Sequence, residues 1–163
     1  MSARRVSIFG ATGSIGQNTI NLIDRNPNSY EVIALTGAAN IEQLAKDAIR
    51  LNAQIAVTAH DHLLPELRVA LNGSDVQAAA GQAALAEAAS RPVDWVMSAI
   101  VGIAGLVPSL NAVRQGATLA LANKESLVTA GPLLLAQAAS HGATILPVDS
   151  EHSAVFQALI GED

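Results

Sequence analysis

The chain has 163 residues, 50% of them hydrophobic and 14% charged, which is enough apolar material for one domain with a buried core. With 9 Lys and Arg against 14 Asp and Glu the formal charge is −5, so the basic excess that nucleic-acid phosphates or anionic lipid demand is missing, and neither a nucleic acid nor a membrane is expected as partner. There is no cysteine, which excludes disulfide scaffolds, thiolate nucleophiles, zinc ribbons and cysteine-ligated iron–sulfur clusters together.

Met1 to Arg5 leads straight into Val6-Ser7-Ile8-Phe9, too short a run for the apolar region of a signal peptide. No later stretch reaches about 18 uninterrupted apolar residues, so a cytoplasmic protein is expected. Arg5 to Phe9 reads as a first strand buried on both faces. Ile20, Leu22 and Ile23 give the next helix its inner stripe, and Asn26-Pro27-Asn28-Ser29 ends it. Glu31 to Thr36 is a second strand; Ile41, Leu44, Ala45, Ala48 and Ile49 have helical spacing; Ile55 to Thr58 is a third strand. A helix over Leu63 to Leu71, closed by Asn72-Gly73, leads to a weaker strand near Val76 and an alanine-rich helix ending before Arg91-Pro92. Trp95 to Ser98, Thr118 to Ala122 and Thr144 to Val148 read as three more strands. Helices from about Gly105 to Gln115 and from about Ser126 to Ser140 separate them, and Ser153 to Leu159 begins another. Trp95 belongs in the core; His60, His62 and His141 belong to loops or the surface. Strands alternating with helices argue for parallel pairing through crossovers: an α/β, Rossmann-like doubly wound, mostly parallel sheet with helices on both faces.

Gly10-Ala11-Thr12-Gly13-Ser14-Ile15-Gly16 follows the first strand and opens the first helix, the context a dinucleotide-binding turn requires. Gly10 permits the tight turn, Gly13 lets backbone approach a pyrophosphate, Gly16 lets helix pack on strand, and Thr12 and Ser14 offer hydroxyls to phosphate. A ligand-free turn would have no need of all three glycines. The end of the second strand, where NAD-binding proteins place an acid for the ribose diol, reads Leu35-Thr36-Gly37-Ala38-Ala39-Asn40. The missing carboxylate favours NADP over NAD, although no Lys or Arg stands there and Lys46 is a turn or more into the next helix. No G-K-[ST] follows the turn, which excludes a P-loop.

Ligands of an open parallel sheet gather at the carboxyl ends of its strands, and two polar clusters fall there. Asn123-Lys124-Glu125-Ser126 follows one strand; Lys124 suits an anionic substrate or a phosphate, while Ser126 as a helix N-cap with Lys124 and Glu125 as a solvated pair is the plainer alternative. Asp149-Ser150-Glu151-His152 follows the last. Alternate residues of extended chain point the same way, so Asp149 and Glu151 aim two carboxylates at one spot, which suits Mg²⁺ or Mn²⁺. The competing reading makes Ser150 a helix cap with Glu151 in the first turn.

Short-chain dehydrogenases need Tyr-x-x-x-Lys, but the single tyrosine, Tyr30, is followed four residues on by Ala34. Semialdehyde-type dehydrogenases need a cysteine nucleophile, which would have to lie beyond Asp163. The glycine turn at 10–16, Ala99-Ile100-Val101-Gly102-Ile103-Ala104-Gly105-Leu106, Leu-Ala-Asn-Lys-Glu-Ser-Leu-Val at 121–128 and Leu-Pro-Val-Asp-Ser-Glu-His at 146–152 together resemble the 1-deoxy-D-xylulose 5-phosphate reductoisomerase family. The resemblance implies an enzyme of non-mevalonate isoprenoid synthesis, dependent on NADPH and on Mg²⁺ or Mn²⁺. It would convert a small sugar phosphate, 1-deoxy-D-xylulose 5-phosphate, to 2-C-methyl-D-erythritol 4-phosphate. By the same resemblance Thr12, Gly13, Ser14, Ile15, Asn123 and Glu125 would contact NADPH, with Gly10 in the same turn and Asn40 beside it. Lys124 and Ser150 would meet the substrate, Asp149 and Glu151 would hold the metal, and Lys124, Ser150 and Glu151 would form the catalytic group. Many relatives have a basic residue in the loop after the second strand, where this chain has Ala38-Ala39-Asn40, which leaves the 2′-phosphate without an evident grip. The family also implies a homodimer. It divides the chain into an NADPH-binding domain over 1–148 and, over 149–163, the start of a catalytic domain continuing past the given sequence, so these residues alone would bind cofactor without turnover. A free-standing dinucleotide-binding module and an unrelated NAD(P) dehydrogenase are the alternatives.

Overall fold

In the computed structural model the described residues are 2–122 and 124–148, with Lys124 described by its backbone. Among the described residues seven parallel strands alternate with six α-helices: β1 (Arg4–Phe9), α1 (Ser14–Arg25), β2 (Tyr30–Gly37), α2 (Ile41–Arg50), β3 (Ile55–Thr58), α3 (Leu64–Ala70), β4 (Gln77–Ala80), α4 (Gln82–Ala89), β5 (Trp95–Ser98), α5 (Leu106–Arg114), β6 (Thr118–Leu121), α6 (Lys124–His141) and β7 (Thr144–Pro147). The strands run in the order β4-β3-β2-β1-β5-β6-β7, every pair parallel. This is the expected doubly wound fold.

The first four strands are laid outward from β1 and the last three outward on its other side. Right-handed crossovers moving in opposite directions must put their helices on opposite faces. Accordingly Ile20 and Ile23 of α1, Leu44 and Ala48 of α2 and Leu67 of α3 bury one face of the sheet with Val6, Ile8, Trp95 and Met97. Ala112 and Val113 of α5 and Leu134 and Ala138 of α6 cover the other, with Phe9, Val96, Leu119 and Leu121, and Leu85 and Ala88 of α4 close over Ile55 and Val57. Side-chain alternation along β5 and β6 supplies both cores at once, which is why these strands read as unbroken apolar runs. Each side chain of Leu, Ile or Phe size buried here contributes about 1.5–3 kcal/mol.

Three details depart from the sequence reading. Ile49 is 44% exposed, and Asp47 is buried on the opposite flank of the α2 stripe. Ser126 lies inside the first turn of α6, because the helix starts at Lys124, where the charge of Glu125 favours the helix N-terminus. That helix breaks at Ala130 (φ −137°, ψ 25°), just before Gly131-Pro132, whose proline has no N–H to continue the ladder.

The helices run against the strands, so their C-termini collect at the edge where strands begin. Arg25, Arg50, Arg68 and Arg114 occupy the last turns of α1, α2, α3 and α5, where they favour the helix dipoles; Arg91 follows α4, and Arg4 and Arg5 open β1. All seven arginines therefore stand at the lower edge of the sheet, opposite the carboxyl ends of the strands.

Gly16 fixes the approach of α1 to β1. A Cβ there would be driven into the Gly10 carbonyl oxygen and lie 2.6 Å from Ala11 Cα, both rigid backbone. Gly16→Ala is expected to destabilise the fold by about 2–3 kcal/mol, read as a lower midpoint in urea unfolding.

Candidate functional site

The strand order reverses between β1 and β5, and at such a point the loops after the two strands part to leave a crevice. Gly10, immediately after β1, has φ +80°, and a Cβ on it would meet the Ala99 carbonyl oxygen at 2.6 Å and its carbon at 2.7 Å. Its N–H donates to Thr36 Oγ1 (3.0 Å), and the Ala11 N–H donates to the Thr36 carbonyl (2.7 Å). Buried Thr36 at the end of β2 thus accepts two bonds from the turn. Gly13 differs from its two neighbours in the motif. It is exposed, has φ −77°, and a Cβ on it would approach only the Gly10 oxygen, at 3.6 Å. Neither packing nor backbone strain requires a glycine here. Gly13 is the N-cap of α1 without a capping side chain, and the first turn carries no acid, so the N–H groups of Ser14, Ile15 and Gly16 stand at an uncapped, electropositive helix end. Thr12 lies over Gly37, whose absent Cβ would sit 3.3 Å from its methyl and 3.4 Å from its hydroxyl.

A buried carboxylate that the sequence reading passed over ties the turn to α2. Asp47, fully buried, accepts at Oδ2 from Gln17 Nε2 (2.7 Å) and Gln43 Nε2 (2.9 Å), and at Oδ1 from Arg50 Nη2 (3.0 Å). Gln17 Nε2 also donates to the Ala11 carbonyl (2.9 Å), so both its amide protons are used. The Gln43 N–H in turn donates to Asn40 Oδ1 (3.2 Å), which caps α2. Ala11 in the glycine turn and Asn40 in the loop after β2 are therefore ends of one chain of bonds through Gln17, Asp47 and Gln43. The signal for it lay in the spacing: Gln43, Asp47 and Arg50 stand at i, i+4 and i+7 beside the apolar stripe. Asn40, expected beside the cofactor, has a capping role as well, which leaves its amide N–H₂ to offer.

Gly10, Thr12, Gly13, Ser14 and Ile15 come together at the upper edge, with Asn40 held beside them. Glu125 is exposed in the first turn of α6, which Lys124 opens directly above β6. Val148 is held at the same edge by its N–H to the Leu121 carbonyl (2.9 Å). Asn123, Asp149, Ser150 and Glu151 lie outside the described residues, and among the described residues no group of three or more His, Asp or Glu could hold a metal ion. His60, His62 and His141 are exposed and Trp95 is buried, as expected.

The family model for 1-deoxy-D-xylulose 5-phosphate reductoisomerase matches residues 6–131. A curated relative of that name from Jannaschia sp. (strain CCS1) is 77% identical over 160 residues, 98% of this chain and 41% of the relative. Among solved structures, the reductoisomerase from Zymomonas mobilis in complex with NADPH is similar with a TM-score of 0.90 and 55% identity, covering 95% of this chain and 41% of that one. DOX-P reductoisomerase in complex with NADPH, fosmidomycin and magnesium is similar with a TM-score of 0.84 and 43% identity, covering 94% of this chain and 38% of that one. The chain thus spans about 41% of the length of the curated relatives it matches.

Removing the Asp47 carboxylate takes the shared acceptor from the half-buried amides of Gln17 and Gln43 and one of its two carboxylates from Arg50, which keeps Asp24. Asp47→Ala is expected to cost about 1–3 kcal/mol through the lost hydrogen bonds to a charged acceptor, seen as a lower urea midpoint than for Ile49→Ala at the exposed flank of the same helix.

Proposed function

Because the chain belongs to the 1-deoxy-D-xylulose 5-phosphate reductoisomerase family, we propose that it carries the NADPH-binding part of an enzyme converting 1-deoxy-D-xylulose 5-phosphate to 2-C-methyl-D-erythritol 4-phosphate. The observation that carries the reading is Gly13: an exposed glycine at an uncapped helix start, which the fold does not need, leaves room for backbone to meet a pyrophosphate. The donor set fits a dinucleotide phosphate. In this reading the N–H groups of the first turn of α1 and the hydroxyls of Thr12 and Ser14 would meet the pyrophosphate, Ile15 would contact the cofactor beside them, and Gly10 keeps the turn tight. No carboxylate stands at the end of β2 to repel a 2′-phosphate.

Residues 1–148 form the NADPH-binding domain in this reading, and the segment from 149 opens the part that meets metal and substrate. Asn123 and Glu125 would contact NADPH. Lys124 pairs with substrate oxygens, and Ser150 hydrogen-bonds the substrate. Asp149 and Glu151 supply the hard oxygen ligands for Mg²⁺ or Mn²⁺. When bound, the metal supplies charge stabilisation at substrate oxygens and NADPH supplies the hydride. Asp149, Ser150 and Glu151 follow directly on Val148, whose bond to Leu121 fixes it beside the strand that leads to Lys124; one edge of the sheet then serves both cofactor and substrate. A cytoplasmic homodimer accompanies the reading; no helix among the described residues is long and apolar enough to cross a membrane.

With the complete reading frame containing this sequence, NADPH oxidation should depend on 1-deoxy-D-xylulose 5-phosphate, stop with EDTA, resume with Mg²⁺ or Mn²⁺, and be inhibited by fosmidomycin. Asp149→Asn should lower kcat by about a hundredfold or more, the scale of losing several kcal/mol of charge stabilisation. No oxidation with metal present would reduce the protein to a dinucleotide-binding module. Gly13→Ala should raise the Kd for NADPH about tenfold or more through steric exclusion, with a melting temperature within a few degrees of the parent, unlike Gly16→Ala.

A further inference from the structure

The loop after β2 is where a dinucleotide's adenosine ribose arrives, yet Gly37-Ala38-Ala39-Asn40 has no cation for a 2′-phosphate. The seven arginines stand at the opposite edge of the sheet. Of the two lysines, Lys124 follows β6, three strands from β2 and so roughly 14 Å across the sheet. Lys46 lies six residues into α2 from Asn40, roughly 9 Å of helix rise below the edge. The strand beside β2 on the free side is β3, paired with Gly37 opposite Thr58. The chain leaving β3 is fastened to the β2 loop: Thr58 Oγ1 donates to the Ala38 carbonyl (2.7 Å), and the Ala59 N–H donates to the Gly37 carbonyl (2.8 Å). The next residues are His60-Asp61-His62, and the two exposed imidazoles lie together, ring centroids 5.6 Å apart. The carboxylate between them is turned to the far side, over Gly81 at the start of α4, where a Cβ would collide with it. The other carboxylate of this corner, Glu42, sits in the first turn of α2.

Resting on the NADPH reading above, we infer that His60 and His62 form the 2′-phosphate contact of this chain, in place of a basic residue in the β2 loop. Imidazole donates an N–H in either protonation state, which suits it to a phosphate oxygen. The site lies on the neighbouring strand's loop, brought alongside by Thr58 and Ala59, and it discriminates NADPH from NADH without touching the reacting end of the cofactor.

The test is direct titration of the protein with NADPH, NADH, 2′,5′-ADP and 5′-AMP, for the parent and for His60→Ala, His62→Ala, the double alanine variant, His60→Arg and Lys46→Ala, with melting temperatures alongside. The parent is expected to prefer each 2′-phosphorylated ligand by about tenfold or more, the scale of hydrogen bonds to a charged group. The double alanine variant should lose most of that ratio with NADH and 5′-AMP affinities unchanged, His60→Arg should keep or raise it, and Lys46→Ala should leave it within twofold. A parent preference that survives the double variant, or moves with Lys46→Ala instead, overturns the inference and leaves the NADPH reading standing. Equal loss of both ligand classes also overturns it, assigning the histidines to loop structure; a parent that binds neither class defeats the NADPH reading itself.

Discussion

The upper edge of this sheet is organised by a backbone contact that admits no side chain. Gly16 of α1 lies against the Gly10 carbonyl and Ala11, and Gly10 in turn lies against the Ala99 carbonyl at the end of β5. Together they draw the first helix, the first strand and the strand across the switch point within van der Waals reach of one another. The consequence is that the start of α1 projects its free N–H groups over the crevice between β1 and β5. Gly13, the middle member, takes no part in this packing, and that division of labour separates the glycines that build the turn from the one that leaves space above it.

Close packing would leave the turn fixed only from below; its lateral position comes from polar groups. Thr36 receives two N–H bonds from it, and Gln17 receives its place from Asp47 while bonding the Ala11 carbonyl. Burying Asp47 requires that its oxygens be satisfied, and Gln17, Gln43 and Arg50 do this with donors from two helices. Arg50 also reaches Asp24 on α1 at 2.6 Å, so α1 and α2 are joined at their lower ends as well as near the turn. The same network sets where α2 begins, since Gln43 both binds Asp47 and completes the Asn40 cap.

The strands and the glycine turn were legible in the sequence because each is a contiguous signal. Ile55 to Thr58 and Trp95 to Ser98 match the sequence to the residue, the other strands given bounds differ by one position at one end or both, and the weaker strand expected near Val76 lies at Gln77–Ala80. The helix faces were legible only where apolar spacing is unambiguous. Ile49 and Asp47 flank the α2 stripe on opposite sides, and apolar character alone puts the isoleucine inside, whereas the partners that allow Asp47 to be buried come partly from α1, 30 residues away for Gln17. Thr36 was hidden for a similar reason: a threonine at a strand end carries no sign that its hydroxyl will accept from Gly10, 26 residues earlier. The motif glycines could be found without coordinates; the bonds that hold their loop in place could not.

The charge pattern follows from the same topology and bears on what the edge can bind. Helices antiparallel to a parallel sheet bring their C-termini to the lower edge, and the arginines gathered there complement the dipoles. The upper edge receives the helix N-termini, so anions can be met there by backbone N–H groups and hydroxyls before any cation is needed. A pyrophosphate over α1 fits this arrangement, because the helix start itself supplies the donors. A phosphate on the adenosine ribose lies beyond that helix end, over Gly37 to Asn40, a loop without a cation whose Gly37 carbonyl accepts from the Ala59 N–H and whose Asn40 Oδ1 accepts from the Gln43 N–H. A positive charge for that phosphate has to come from a neighbouring element, and the loop leaving β3 is fastened alongside by the Thr58 hydroxyl on the Ala38 carbonyl and the Ala59 N–H on the Gly37 carbonyl.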